Sequence, residues 1–130
     1  MLSFLAQILC IMPLFFIAGV GKLFDINGTA TGLQNITGLS LLPFVLFQLV
    51  ILMVILLEIV APVLVTLTGI RILPKEYAKY SLSLLIVFTI LTTVLYHPPT
   101  DPSQRISFLK NLAVIGGLWL AYDKAGTIKA

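Results

Sequence analysis

Charge is what this 130-residue sequence has least of: charged residues make up 10% and hydrophobic ones 59%, with a mean hydropathy of +1.11, where a soluble domain carries about 25% charged residues. A water-soluble fold would lack the polar surface to cover itself. Cysteine is nearly absent as well. Cys10 alone can form no intrachain disulfide and no CxxC pair for thiol relay or zinc. His97 is the single histidine, so no second one can share a metal with it. Long polar stretches are missing, and after four spans of ~20 residues only short loops remain, leaving room for one domain and no separate soluble catalytic unit. The formal charge of +3 and pI of about 9.2 come without a basic run, the basic residues being scattered near helix ends. That pattern excludes nucleic acid as the expected partner and fits membrane topology.

What is present is four apolar stretches, each long enough to cross a bilayer, where every backbone polar group must be satisfied within its own helix. The expected fold is all-α: a polytopic, antiparallel bundle of four transmembrane helices forming one domain over 1–130, with spans at about 4–24, 43–68, 75–96 and 102–122. The first stretch has no Lys or Arg from Met1 to Ile11, so it lacks the positive region of a signal peptide and reads as a retained span. Pro13 interrupts it and predicts a kink near Cys10. Asp25 to Ser40 reads as a loop in which Thr31 to Ile36 forms a short interfacial helix. Two glycosylation sequons there, at Asn27 and Asn35, are matches of a length common by chance.

The second span opens at Pro43 and exceeds a ~30 Å hydrocarbon slab, so tilt or overhang must absorb the excess. Pro74 opens the third, which stops at Tyr96 before His97-Pro98-Pro99. Asp101-Pro102-Ser103-Gln104 reads as N-cap, N1 proline and capping-box glutamine of the fourth. An even number of spans puts both termini on one side. That side collects Arg71, Lys75, Lys79, Lys124 and Lys129 against Lys22, Arg105 and Lys110 opposite, which predicts cytoplasmic termini.

Polar groups at membrane depth are the candidate functional residues. Glu58 stands out, because a charge there needs a partner or a proton. Pro62, four residues on, frees the carbonyl of Glu58 from its helix bond. Counting antiparallel helices from their outer ends places Glu58 beside the Gln7 to Cys10 turn, Ser81 to Leu84 and Gly116 to Gly117. The same count puts Lys22 ~18 Å away, within reach only if the long second helix is displaced outward. Lys22 then belongs to an outer layer with Gln48, Thr92, Thr93, His97, Lys110 and Asn111. The competing reading of Glu58 is a neutral packing residue hydrogen-bonded to a neighbouring helix. Ala113, Gly117 and Ala121 recur every four residues, and with Gly116, Gly19 and Gly21 they form the expected close-packing set.

PLFFIAGVGKLFD, the acidic residue in LVILLEIVAPVLVTLTG, LTTVLYH and FLKNLAVIGGLWLAY follow one another in an order that resembles the DoxX family of small four-helix membrane proteins. The resemblance spans most of the chain and carries Gly19, Lys22, Glu58, His97, Lys110, Asn111, Gly116 and Gly117 as family-pattern positions. It implies a protein of the bacterial cytoplasmic membrane, associated with quinone-linked oxidation, oxidative-stress complexes or membrane-protein assembly.

The leading expectation is therefore an accessory membrane subunit that binds a lipophilic molecule such as a quinone or lipid, through ligand-binding residues Glu58, Asn111, His97 and Lys22. No covalently bound cofactor, catalytic set or metal site is expected. Electrons would come from a membrane or membrane-associated protein partner. Assembly or scaffolding through the small-residue stripe, with homo-oligomers among its forms, is the alternative class. A small proton-coupled transporter using Glu58 is the third.

Overall fold

A computed structural model describes residues 2–128, and these form helices joined by short turns, with no strand among them. Lys129, one of the expected cytoplasmic cations, lies outside the described residues. The long helices are α1 (Leu2–Leu23), α3 (Phe44–Gly69), α4 (Lys75–Tyr96) and α5 (Arg105–Gly126); a 12-residue α2 (Ile26–Thr37) follows α1. α1, α3 and α4 are long and apolar enough to cross a membrane. α5 matches them in length but carries Lys110 and Asn111 inside it.

Each boundary has a local cause. α1 runs on through Pro13 and ends where the Asp25 amide donates to the Lys22 carbonyl (3.1 Å). Asp25 then caps α2, its carboxylate accepting from the Gly28 amide at 3.0 Å. The expected loop with a helix at Thr31 to Ile36 is thus corrected to a helix twice as long, because the cap at Asp25 starts it early and Gly38, in the left-handed region at φ 69°, stops it. Both sequon asparagines lie inside that helix. α3 ends with Arg71 at φ 65° and the Ile72 amide donating back to the Leu67 carbonyl at 2.9 Å. Asp101 caps a short 3-10 turn (Pro102–Gln104), and Gln104 accepts from His97 instead of closing a capping box.

α1 packs against α3 and α5, and α4 packs against the same two, closing a ring of four helices. Phe4, Ile8, Met12, Ala61, Val65, Leu82, Leu85 and Leu118 are among the residues that fill its core. The side chains that look outward are apolar too, for example Leu9 at 76% and Met53 at 69% exposure. An apolar exterior over an apolar core is the pattern of helices solvated by lipid. Hydroxyls that would otherwise be costly there bond their own helix: Thr66, Thr89 and Thr93 donate to the carbonyls of Pro62, Leu85 and Thr89 at 2.8, 2.7 and 2.6 Å.

The register of α1 on α3 matters most for the site. A Cβ on Gly69 would meet Ile8, and one on Gly19 would meet Glu58 and Ile59. Advancing along α1 therefore means retreating along α3, and α1 ends while roughly three turns of α3, ~15 Å, still lie ahead. α2 covers that overhang: Ala30 joins Phe47, Ile51 and Ile55 in a second apolar cluster, and Gln48 Nε2 donates to Asn27 Oδ1 at 2.8 Å. α3 thus outruns α1 at this end of the bundle.

Candidate functional site

One stripe of α3 is buried from Phe47 through Ile51, Ile55, Glu58, Ala61 and Val65 to Thr68, and Glu58 is its only charge. The glutamate sits where the outer apolar cluster gives way to the main core. Its side chain is 2% exposed, and both carboxylate oxygens accept from Lys22 Nζ, at 2.8 and 2.9 Å. Lys22 is less enclosed, with 28% of its side chain exposed.

Two features of the chain create this pair. Gly19 removes the side chain that would hold α1 and α3 apart, since a Cβ there would lie 2.9 Å from both the Glu58 Cβ and the Ile59 Cγ1. Direction does the rest. Side chains lean toward the N-terminus of their own helix; on antiparallel helices Lys22 therefore leans back toward Gly19 while Glu58 leans toward the end of α1. The ~18 Å separation counted from flush helix ends is corrected accordingly: α3 is displaced outward by the overhang, and Glu58 faces Gly19, not the Gln7 to Cys10 turn.

The other expected site residues lie elsewhere. Asn111 Nδ2 donates to Thr93 Oγ1 at 3.0 Å, joining α5 to α4, and the Thr93 hydroxyl in turn donates a hydrogen bond to the Thr89 carbonyl. His97 Nδ1 lies 2.6 Å from Gln104 Oε1, which makes Nδ1 the protonated nitrogen, so the ring ties the two ends of the α4–α5 connection. Neither residue hydrogen-bonds to Lys22 or Glu58 among the described residues. Lys110 is exposed and makes no ion pair among them. The structure thus gathers two of the four expected ligand-binding residues and separates the rest.

The packing set divides similarly. Gly19 is buried against α3, Gly117 faces Ile11, and Ala121 is in the core. Gly21, Ala113 and Gly116 are exposed, and a Cβ on Gly21 or Gly116 would meet nothing within 4 Å, so their expected packing role within the chain is corrected. The four-residue stripe fails at Ala113 because α5 turns that edge outward. Sequence reasoning missed the Asn27 to Gln48 bond, whose signal was two amides on opposite sides of a turn-rich segment. It also missed the isolation of Gln7, whose side-chain oxygen is buried without a partner among the described residues.

Chemically, a Lys–Glu pair offers an ammonium with three donors, two of which are directed at Glu58. The third donor and the exposed part of the side chain are what an incoming oxygen acceptor can use. No cluster of three potential metal ligands exists among the described residues. Comparison with family models, curated proteins and solved structures gave no match to this chain.

Proposed function

We propose that this is a DoxX-like integral membrane protein that binds a lipophilic carbonyl compound of the quinone class, as an accessory subunit of a membrane oxidoreductase system. In this reading α5 is the fourth crossing, and both termini lie on the cytoplasmic face of a bacterial inner membrane. The observation that carries it is the Lys22–Glu58 pair, its carboxylate 2% exposed and both carboxylate oxygens within 2.9 Å of Nζ. Intramembrane ionisable groups are costly and are retained mainly where they serve a function. Glu58 holds the ammonium in place, and the third Nζ–H is left to donate to a ligand carbonyl. Reducing equivalents come from a partner, since Cys10 and His97 provide neither a dithiol nor a metal centre.

The test uses a tail-free benzoquinone, so that only head recognition is read. Saturable binding to the purified protein in lipid nanodiscs is expected, with loss in a Lys22→Met/Glu58→Met variant of unchanged helicity. Absence of binding by the native protein, or equal binding by the double variant, rejects the reading. The assembly alternative draws on Ala113 and Gly116, small residues exposed on α5 with open space at Gly116. Gly116→Leu would then abolish a partner complex that Lys22→Met/Glu58→Met leaves intact.

A further inference from the structure

Where α1 gives way to α2, a cavity of about 510 Å³ opens against the first turns of α3. It shares no residue with the ion pair. Its wall divides by chemistry, with Phe24, Val45 and Leu52 on the apolar side and the polar side chains of Asp25, Asn27 and Gln48 on the other. The volume lies in the range of small-molecule sites, about 300–1,000 Å³, and an apolar wall with a few polar groups is their usual makeup.

α2 leaves this corner uncovered because it packs on a different face of α3. It lies over Phe47, Ile51 and Ile55, whereas Val45, Gln48 and Leu52 recur at three- and four-residue steps on the adjoining face. Val45 and Leu52 are exposed as a result. Gln48 stands only ~6 Å along the axis from Phe44, the first residue of α3, so the cavity sits near the end of the bundle, within reach of an amphiphile whose head stays in water.

What the polar groups have left to offer is mostly negative. Asp25 Oδ1 accepts from the Gly28 amide at 3.0 Å, but the carboxylate has no ion pair among the described residues, and neither Lys nor Arg lines the cavity. The positive end of the α2 dipole, roughly half a charge, leaves the corner net negative. Gln48 Nε2 is spent on Asn27 Oδ1 at 2.8 Å, which leaves Gln48 Oε1 to accept and Asn27 Nδ2 to donate. Phe24, 85% exposed, adds a ring face, which attracts cations. An anion is repelled here, and an uncharged head leaves the carboxylate unanswered.

We propose that this cavity binds an amphiphilic amine, its ammonium held by the Asp25 carboxylate, Gln48 Oε1 and the Phe24 ring, and its apolar body laid along Val45 and Leu52. An ammonium has three N–H donors and no acceptor, which matches two oxygens and a ring. A free alkylamine and the ethanolamine head of a lipid present the same group.

Isothermal titration calorimetry of the purified protein in nonionic detergent at low salt compares phenylbutylamine with phenylbutanol, the same body bearing a hydroxyl in place of the ammonium. One amine per chain is expected, bound about fivefold more tightly than the alcohol, the upper end for an ion pair open to water. Asp25→Asn removes the charge but keeps the α2 cap, since Asn and Asp serve equally there. It should bring the amine down to the affinity of the alcohol, whereas Leu52→Trp, which fills the cavity, should weaken both. Asp123→Asn, an exposed acid on α5, removes the same charge elsewhere and should bind the amine as native protein does. Equal affinity for amine and alcohol, amine binding unchanged by Asp25→Asn or by Leu52→Trp, or an equal loss in Asp123→Asn overturns the proposal. With the expected pattern in hand, competition by dipalmitoyl phosphatidylethanolamine assigns the source: displacement of the amine marks a lipid head, and persistence marks a free amine. Failure of the benzoquinone test with phenylbutylamine still bound would reject the ion-pair site and leave this one standing.

Discussion

Lys22→Met isolates what the ion pair does for the fold. Methionine keeps most of the lysine stem but leaves Glu58, 2% exposed, with two oxygens whose donor has gone. Removing one member of a buried pair costs about 3–5 kcal/mol, because the remaining charge is uncompensated. The lower end applies here, since the 28% exposure of Lys22 marks an approach for water to the pair. Glu58→Gln should cost less, about 1–2 kcal/mol, because an amide oxygen still accepts from Nζ and the lysine can draw on solvent. Lys22→Met/Glu58→Met removes both charges and keeps the volume, and such replacements are neutral or stabilising by about 1–4 kcal/mol. The predicted order of stability is double variant at or above native protein, then Glu58→Gln, then Lys22→Met. Denaturant titration of the protein in mild detergent, followed by far-UV helicity at neutral pH, measures it. Lys22→Met within about 1 kcal/mol of native protein, or a double variant as unstable as the two single losses combined, would refute the reasoning.

Three further outcomes follow from the same geometry. Gly19→Ala should destabilise by about 1–3 kcal/mol, because the new methyl meets the Glu58 Cβ and the branched Ile59, whereas Gly117→Ala meets only the movable end of Ile11 and Gly116→Ala meets nothing, so the same titration should show little cost or a small gain for these two. Asn111→Leu removes the bond to Thr93 and, by the average for interhelical bonds in membranes, should cost about 0.6 kcal/mol, read as a shift of the denaturation midpoint. Asp25→Ala removes the α2 cap at about 0.5–2 kcal/mol, and because α2 covers the α3 overhang, amide exchange should rise over Ile26–Thr37 before it rises in α1.

Helices were legible in the sequence wherever apolar length and a proline, capping acid or glycine agreed: Pro74 before α4, His97-Pro98-Pro99 after it, and Asp101 before the turn into α5 all lie where the structure breaks. α2 was only half legible, because INGTATGLQNIT has weak helix formers throughout, and its stability comes from laying Ala30 and Leu33 on Phe47 and Ile51. The site was legible as residue types and not as a distance. Lys22 and Glu58 were each singled out as polar groups at depth but set in separate layers, since their separation depended on how far α3 slides past α1, and no residue periodicity encodes axial slide between two uniformly apolar helices. Gly19 did encode it. Among the glycines of α1 it is the one that lets backbone reach side chain, so the register is fixed where the close approach is possible, and Lys22 follows one turn later on the same helix. Glycine, lysine and glutamate thus form one device: the first sets the slide that brings the other two together, and changing it should loosen the ion pair even though Gly19 carries no polar group of its own.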